Sequence, residues 1–154
     1  MAKKSLKYSA ELIAKWFLAH NRQVMAEEDA EYISNLKLQK LLYYAQGVYY
    51  AMKNKVLFDD EIMAWKHGPV VEDVYHDYKS NGANGIKFED EFDFSKIDGE
   101  TTEVLEEVYD YFGQYSAWKL RNMTHNEEPW KKTEMNDEIN VDLIKEYFLR
   151  EYIE

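Results

Sequence analysis

"NLKLQKLLYYAQGVYYAMK", residues 35–53, decides the fold. Leu38, Leu41, Leu42, Ala45, Tyr49 and Met52 fall three or four residues apart, which lays one apolar stripe along a helix. Tyr43, Tyr44, Val48 and Tyr50 fill in the rest of the surface. A helix apolar on most sides is covered on most sides. This stretch is therefore expected to be a central helix running from about Asn35 to Lys53, with other helices packed around it.

The flanking sequence supplies those helices. Ser9 is suited to cap a helix from about Ser9 to Met25, with Leu12, Ile13, Trp16 and Phe17 on one face. Val56 to Trp65 reads as two short extended segments around a turn at Asp59-Asp60, a small hairpin. Pro69 fits the first position of a third helix, because its missing N–H would be unpaired there. Val70, Val71, Val74, Tyr75 and Tyr78 follow as its buried face, with Glu72 and Asp73 near the positive end of the helix dipole. "SNGANGIKFEDEFDFSKIDGE", residues 80–100, reads as a long acidic loop, of a length that is uncommon without a function or mobility. A fourth helix is expected from near Thr101 or Thr102, a fifth capped by Ser116, and a last one over about Val141 to Tyr152 with Ile144, Tyr147 and Phe148 inward. The fold class is mainly α: residues 1–154 as a single-domain helical bundle with a short β-hairpin.

Composition bounds the function. With 154 residues, 16% aromatic content and 45% hydrophobic content, the chain is long and apolar enough for a core. Its 30 acids against 19 Lys and Arg leave a net charge of −11. Such a field repels phosphate backbones and draws in basic proteins, so direct nucleic-acid binding is not expected. The absence of cysteine excludes disulfides, thiolate chemistry and Cys-ligated zinc. The N-terminal lysines have no apolar segment behind them, and the uncharged run Leu41 to Met52 is too short to span a bilayer. A cytoplasmic location without membrane insertion is the expectation.

Two polar corners carry the functional question. In "WKHGPVVEDVYHDYK", residues 65–79, Trp65 anchors the chain, Gly68 turns it and Pro69 starts a helix. In "MTHNEEPWKK", residues 123–132, Pro129 forces Glu128 out of the helical region, so the fifth helix ends before it and an extended chain leads to Trp130. Each is a tryptophan-pinned bend with a histidine nearby. The tryptophans belong either to the core or to a fixed recognition surface. His67 and His76 lie nine apart across a helix start, which is not a metal-ligand spacing. A small metal-dependent enzyme built on His67, His76 and His125 is the alternative to a binding module. There is no G-x-S-x-G motif, and "SNGANG" follows a helix and leads to acids, a poor phosphate cradle. No catalytic residue, cofactor or metal is expected.

Three stretches in order, "LKLQKLLYYAQGVYYA" (36–51), "LFDDEIMAWKHGPVVEDVYHDYK" (57–79) and "THNEEPW" (124–130), resemble the Panacea domain of the SocA-like, prophage-associated proteins. The resemblance spans residues 36–132. Asn54 stands where glycine is common and Glu72 where a second proline is frequent; asparagine tolerates a left-handed backbone and glutamate suits a helix start, so the fold is expected to stand. The resemblance implies the antitoxin of a type II toxin–antitoxin system, neutralising a protein toxin by direct binding. It also implies an alternative, a proteolytic adaptor that delivers its toxin to a AAA+ protease. Some relatives carry an added DNA-binding domain; this chain is almost filled by the core domain, so promoter binding is not expected. Joined to the net charge, the expected partner is a basic protein toxin. The candidate contact residues are Tyr44, Trp65, His67, Asp73, Tyr75, His76, His125 and Glu127, with Gly68, Pro69, Pro129 and Trp130 as structural corners.

Overall fold

A computed structural model describes residues 8–153, which form seven α-helices and one two-stranded hairpin. Helix α1 covers Ala10–Glu27, and α2 covers Asn35–Lys53. Strands β1 (Met63–Trp65) and β2 (Gly68–Val70) pair antiparallel, and α3 (Glu72–Tyr78) follows. Helices α4 (Gly99–Phe112), α5 (Ala117–His125), α6 (Glu128–Lys131) and α7 (Val141–Glu151) complete the chain. The architecture is mainly α with a short hairpin. The lysines before Tyr8 lie outside the described residues. Among those described, no helix is long and apolar enough to cross a membrane.

Helix α2 is the axle. It packs against α1, α3, α4, α5, α7 and β2, and every residue from Leu38 to Tyr49 is buried. Ser34 caps it, its hydroxyl accepting from the Lys37 N–H at 3.2 Å. Asn54 closes it at φ 59°, the left-handed conformation that asparagine tolerates. Burial on all sides means that the polar residues of α2 must find partners inside the protein. Asn35, Gln39, Lys40 and Gln46 find them on the backbone of residues 57–75. The Gln46 amide donates to the Phe58 carbonyl and accepts from the Leu57 N–H, both at 2.8 Å. Gln39 accepts from the Val71 N–H, and Asn35 donates to the Tyr75 carbonyl. Nζ of Lys40 donates to the Pro69 carbonyl at 2.9 Å. The polar letters of the central helix thus hold the hairpin and both its flanks in register.

The hairpin sits one step later than the sequence predicts. Its turn is Lys66-His67, and Val56–Ile62 leads in without pairing as a strand; the Asp59-Asp60 step is not the turn. Pro69 consequently belongs to β2, opposite Ala64, and does not open a helix. The backbone of Ala64 turns away from β2 to exchange bonds with Asp137 and Asn136. The Ala64–Pro69 pair therefore needs no N–H from the proline, which is where a strand accepts one. Helix α3 starts at Glu72, with extended Val71 before it.

Side-chain caps set the starts of α4 and α5. Asp98 accepts from the Thr101 N–H at 2.7 Å and starts α4 at Gly99, earlier than Thr101 or Thr102. Ser116 caps α5 as the sequence suggests. Glu128 is not expelled from helical geometry by Pro129; the extended residue is Glu127, and Pro129 sits in the first turn of α6, so Trp130 is helical. The acidic segment 80–100 is tied down. It buries Ile86, Phe88 and Ile97, makes two 3-10 turns, and receives the Arg22 guanidinium on the carbonyls of Phe88 and Asp90.

Candidate partner-binding face

The two tryptophan corners are one structure. The indole N–H of Trp130 donates to the Trp65 carbonyl at 2.8 Å, joining α6 to β1 across 65 residues of sequence. His125 stacks on Trp130, with ring centroids 4.0 Å apart and planes 20° from parallel. Its pKa is lowered by partial burial and then by Arg121, which keeps this ring neutral near pH 7. Pro129 is buried beneath the corner.

Gly68 makes the bend possible twice over. Its φ of +108° disfavours any side chain, and a Cβ there would lie 2.7 Å from Cε of Lys40 and 2.9 Å from the Thr124 hydroxyl. Lys40 has no exposed surface. Burial, then the nearby Arg121 charge, brings its pKa down to about 7.

Outside this joint lies an aromatic groove of about 400 Å³, between the hairpin turn, α3 and the start of α5. Trp65 and Tyr75 meet edge to face at 5.1 Å. His67 and Trp118 flank the opening, 6.2 Å apart. The guanidinium of Arg121 lies 4.4 Å from the Trp118 ring, and its Nε–H donates to Nδ1 of His67 at 3.1 Å. That bond requires Nδ1 to be the unprotonated nitrogen, and the pKa of His67 is lowered by desolvation, then by Arg121, Lys66 and Lys40. Trp118 is 56% exposed. The indole is thus held by a cation on a solvent-facing aromatic groove and is not part of the core.

The remaining candidates scatter. His76 is exposed on α3, near Tyr75 and 3.7 Å from Glu72. Asp73 faces the other side of the hairpin, lining a cleft of about 290 Å³ with Asp59, Asp60, Glu61 and Glu72. Tyr44 and Glu127 are buried and present nothing to a partner. Glu127 instead gathers three phenols: Tyr43 at 2.8 Å, Tyr44 at 2.9 Å and Tyr152 at 2.6 Å all donate to its carboxylate. Burial raises its pKa, against the pull of those bonds. His67, His76 and His125 do not converge, and among the described residues no group of three or more His, Asp or Glu is placed to hold a metal ion. A larger polar concavity of about 730 Å³, between the end of α1 and the α4–α5 junction, contains none of the candidates.

Trp118, Arg121 and Lys40 carry the site and were absent from the sequence prediction. Trp118 was detectable: α5 buries Leu120 and Thr124, four apart, which leaves residue 118 off that face. Nothing in the local pattern distinguishes Lys40 from an exposed lysine.

The fold is a mainly α domain that carries an aromatic groove open to solvent beside the joined tryptophan corners. The chain belongs to the SocA-like antitoxin family through its Panacea domain, whose family model matches residues 38–131, from α2 to the end of α6. It is similar to Antitoxin SocA of Caulobacter vibrioides (strain NA1000 / CB15N), 48% identical over 54 residues. That match covers 35% of this chain and 29% of the relative, so less than a third of the relative's length is matched. No solved structure matches the chain.

Proposed function

We propose that this protein is the antitoxin of a type II toxin–antitoxin pair and neutralises a protein toxin by direct binding. The observation that carries this reading is the exposed aromatic groove, lined by Trp65, His67, Tyr75 and Trp118 beside the hydrogen-bonded Trp130–Trp65 joint. Family membership supports the antitoxin role, and the groove offers a place for contact. Preorganised aromatic anchors are where protein interfaces concentrate their energy. A stable complex would bury on the order of 1,200–2,000 Å² in all, so the groove is its centre and His76 and Asp73 its surroundings. The net charge of −11 favours a basic toxin through faster encounter.

Co-expression with the adjoining reading frame tests this. The neighbour alone is expected to arrest growth, and the full chain to restore it. Trp118→Ala, a change at an exposed side chain, is expected to keep the melting temperature while weakening toxin binding on the order of tenfold or more. A harmless neighbour, or rescue and binding untouched by Trp118→Ala, overturns the reading. Toxin half-life distinguishes occlusion from protease delivery: occlusion leaves it unchanged or longer.

A further inference from the structure

The groove differs in sign from the molecule that carries it. None of its lining residues is Asp or Glu, in a chain with 30 acids. Lys66 and Lys79 stand at its edge, and neither makes an ion pair among the described residues. Arg121 spends its donors on neutral partners, His67 and Asn122. The acids of α3 face elsewhere: Glu72 and Asp73 line the cleft beyond the hairpin, and Asp77 faces Glu11 and Lys15 of α1. The lowered pKa of His67, to which desolvation, Arg121, Lys66 and Lys40 contribute, reports the same local positive field. An unpaired cation beside an apolar wall is the complement of a carboxylate beside an apolar side chain.

We propose that the groove receives a short segment of the partner protein in which an acidic side chain flanks a large apolar one. This rests on the reading that the face binds a protein. A volume of about 400 Å³ is too small for a folded surface and takes a pair of side chains. A nucleic-acid strand fits less well. Its repeating phosphates would run from the cationic edge into the field of a −11 molecule, whereas one carboxylate stays inside the window.

The test selects a display library of random dodecapeptides on the full chain, then measures the enriched peptide by fluorescence anisotropy. The expected consensus places Asp or Glu within two residues of an aromatic residue or leucine. Charge reversal with the pair Lys66→Glu and Lys79→Glu is expected to weaken that peptide about tenfold or more, and Trp118→Ala comparably. Glu72→Lys, across the hairpin, is expected to leave it unchanged. No consensus, a basic consensus, or a consensus indifferent to the charge reversal overturns the proposal. So does tight binding of a labelled single-stranded oligonucleotide that the charge reversal abolishes. Growth rescue is read separately. Rescue without a groove consensus removes this inference and leaves the antitoxin reading; a consensus without rescue does the reverse.

Discussion

Lys40 shows what burial does to one side chain. It is closed in by Gly68 and Thr124 with one carbonyl acceptor, so the neutral amine is the comfortable form and its pKa falls to about 7. The unfolded chain keeps its lysine protonated up to the ordinary lysine value of 10.5, so between those limits it binds a proton that the fold does not. Stability from this group is therefore full above the upper limit and is lost as pH falls through the lower one, by roughly 1.4 kcal/mol per pH unit. Urea midpoints of the wild type are expected to rise from pH 7 toward pH 9.5, and those of Lys40→Met to rise less. The comparison stops below pH 10 because the raised phenols of Tyr43, Tyr44 and Tyr152 pull the other way above it. Parallel slopes for the two proteins would show that Lys40 is solvated. Glu127 is the second such residue. Removing it as Glu127→Ala leaves three phenols without their acceptor and is expected to cost roughly 3–5 kcal/mol in urea unfolding. A loss below about 1 kcal/mol would mean that water reaches the hydroxyls.

At the scale of elements, α2 decides the packing through its smallest residue. A Cβ on Gly47 would stand 2.5 Å from the ring of Phe148 on α7. Glycine to alanine inside a helix ordinarily gains about 0.5–1 kcal/mol. Here the clash reverses the sign, and Gly47→Ala is expected to lose about 1–3 kcal/mol. Pairing it with Phe148→Leu is expected to return part of that loss in a double-mutant cycle, and strict additivity would remove the contact as the cause. The same helix explains what a sequence reader sees and misses. Its extent was legible because Leu38, Leu41, Leu42, Ala45, Tyr49 and Met52 repeat at helical spacing along it. Ser9 and Ser116 marked helix starts because serine is suited to cap them. The hairpin was misplaced because its register is set at a distance, by Gln46, Gln39 and Lys40 on α2 and by residues 136–139 along β1. Proline at residue 69 is equally at home at a helix start and opposite Ala64, and only those remote bonds choose between them. Of the contact candidates, Trp65, His67 and Tyr75 reached the groove. Tyr44 and Glu127 did not, because each is a satisfied member of a buried cluster whose other members lie as far as 84 residues away in sequence.

Across the whole molecule, charge is arranged in two signs. The acids spread over the surface make the far field negative, while Lys66, Lys79 and Arg121 make one aromatic groove locally positive. On the proposed reading the two act at different stages of recognition, with a basic toxin as the partner. A far field speeds the approach of a basic partner and fades beyond about 10 Å at 0.1 M salt. A desolvated groove acts once contact is made and governs how long the complex lasts. A partner that is basic overall yet offers an acidic–apolar segment satisfies both, and a partner lacking either is disfavoured, which is how charge adds specificity. The two stages separate in a stopped-flow experiment with the toxin. Its association rate is expected to fall on the order of tenfold from low to high salt, with dissociation little changed. Lys66→Glu with Lys79→Glu is expected to do the opposite, raising dissociation while the more acidic protein associates as fast or faster. If salt leaves association unchanged, steering by the −11 charge has no part in binding. If charge reversal in the groove slows association and spares dissociation, those lysines act through the far field and the groove is not the point of contact.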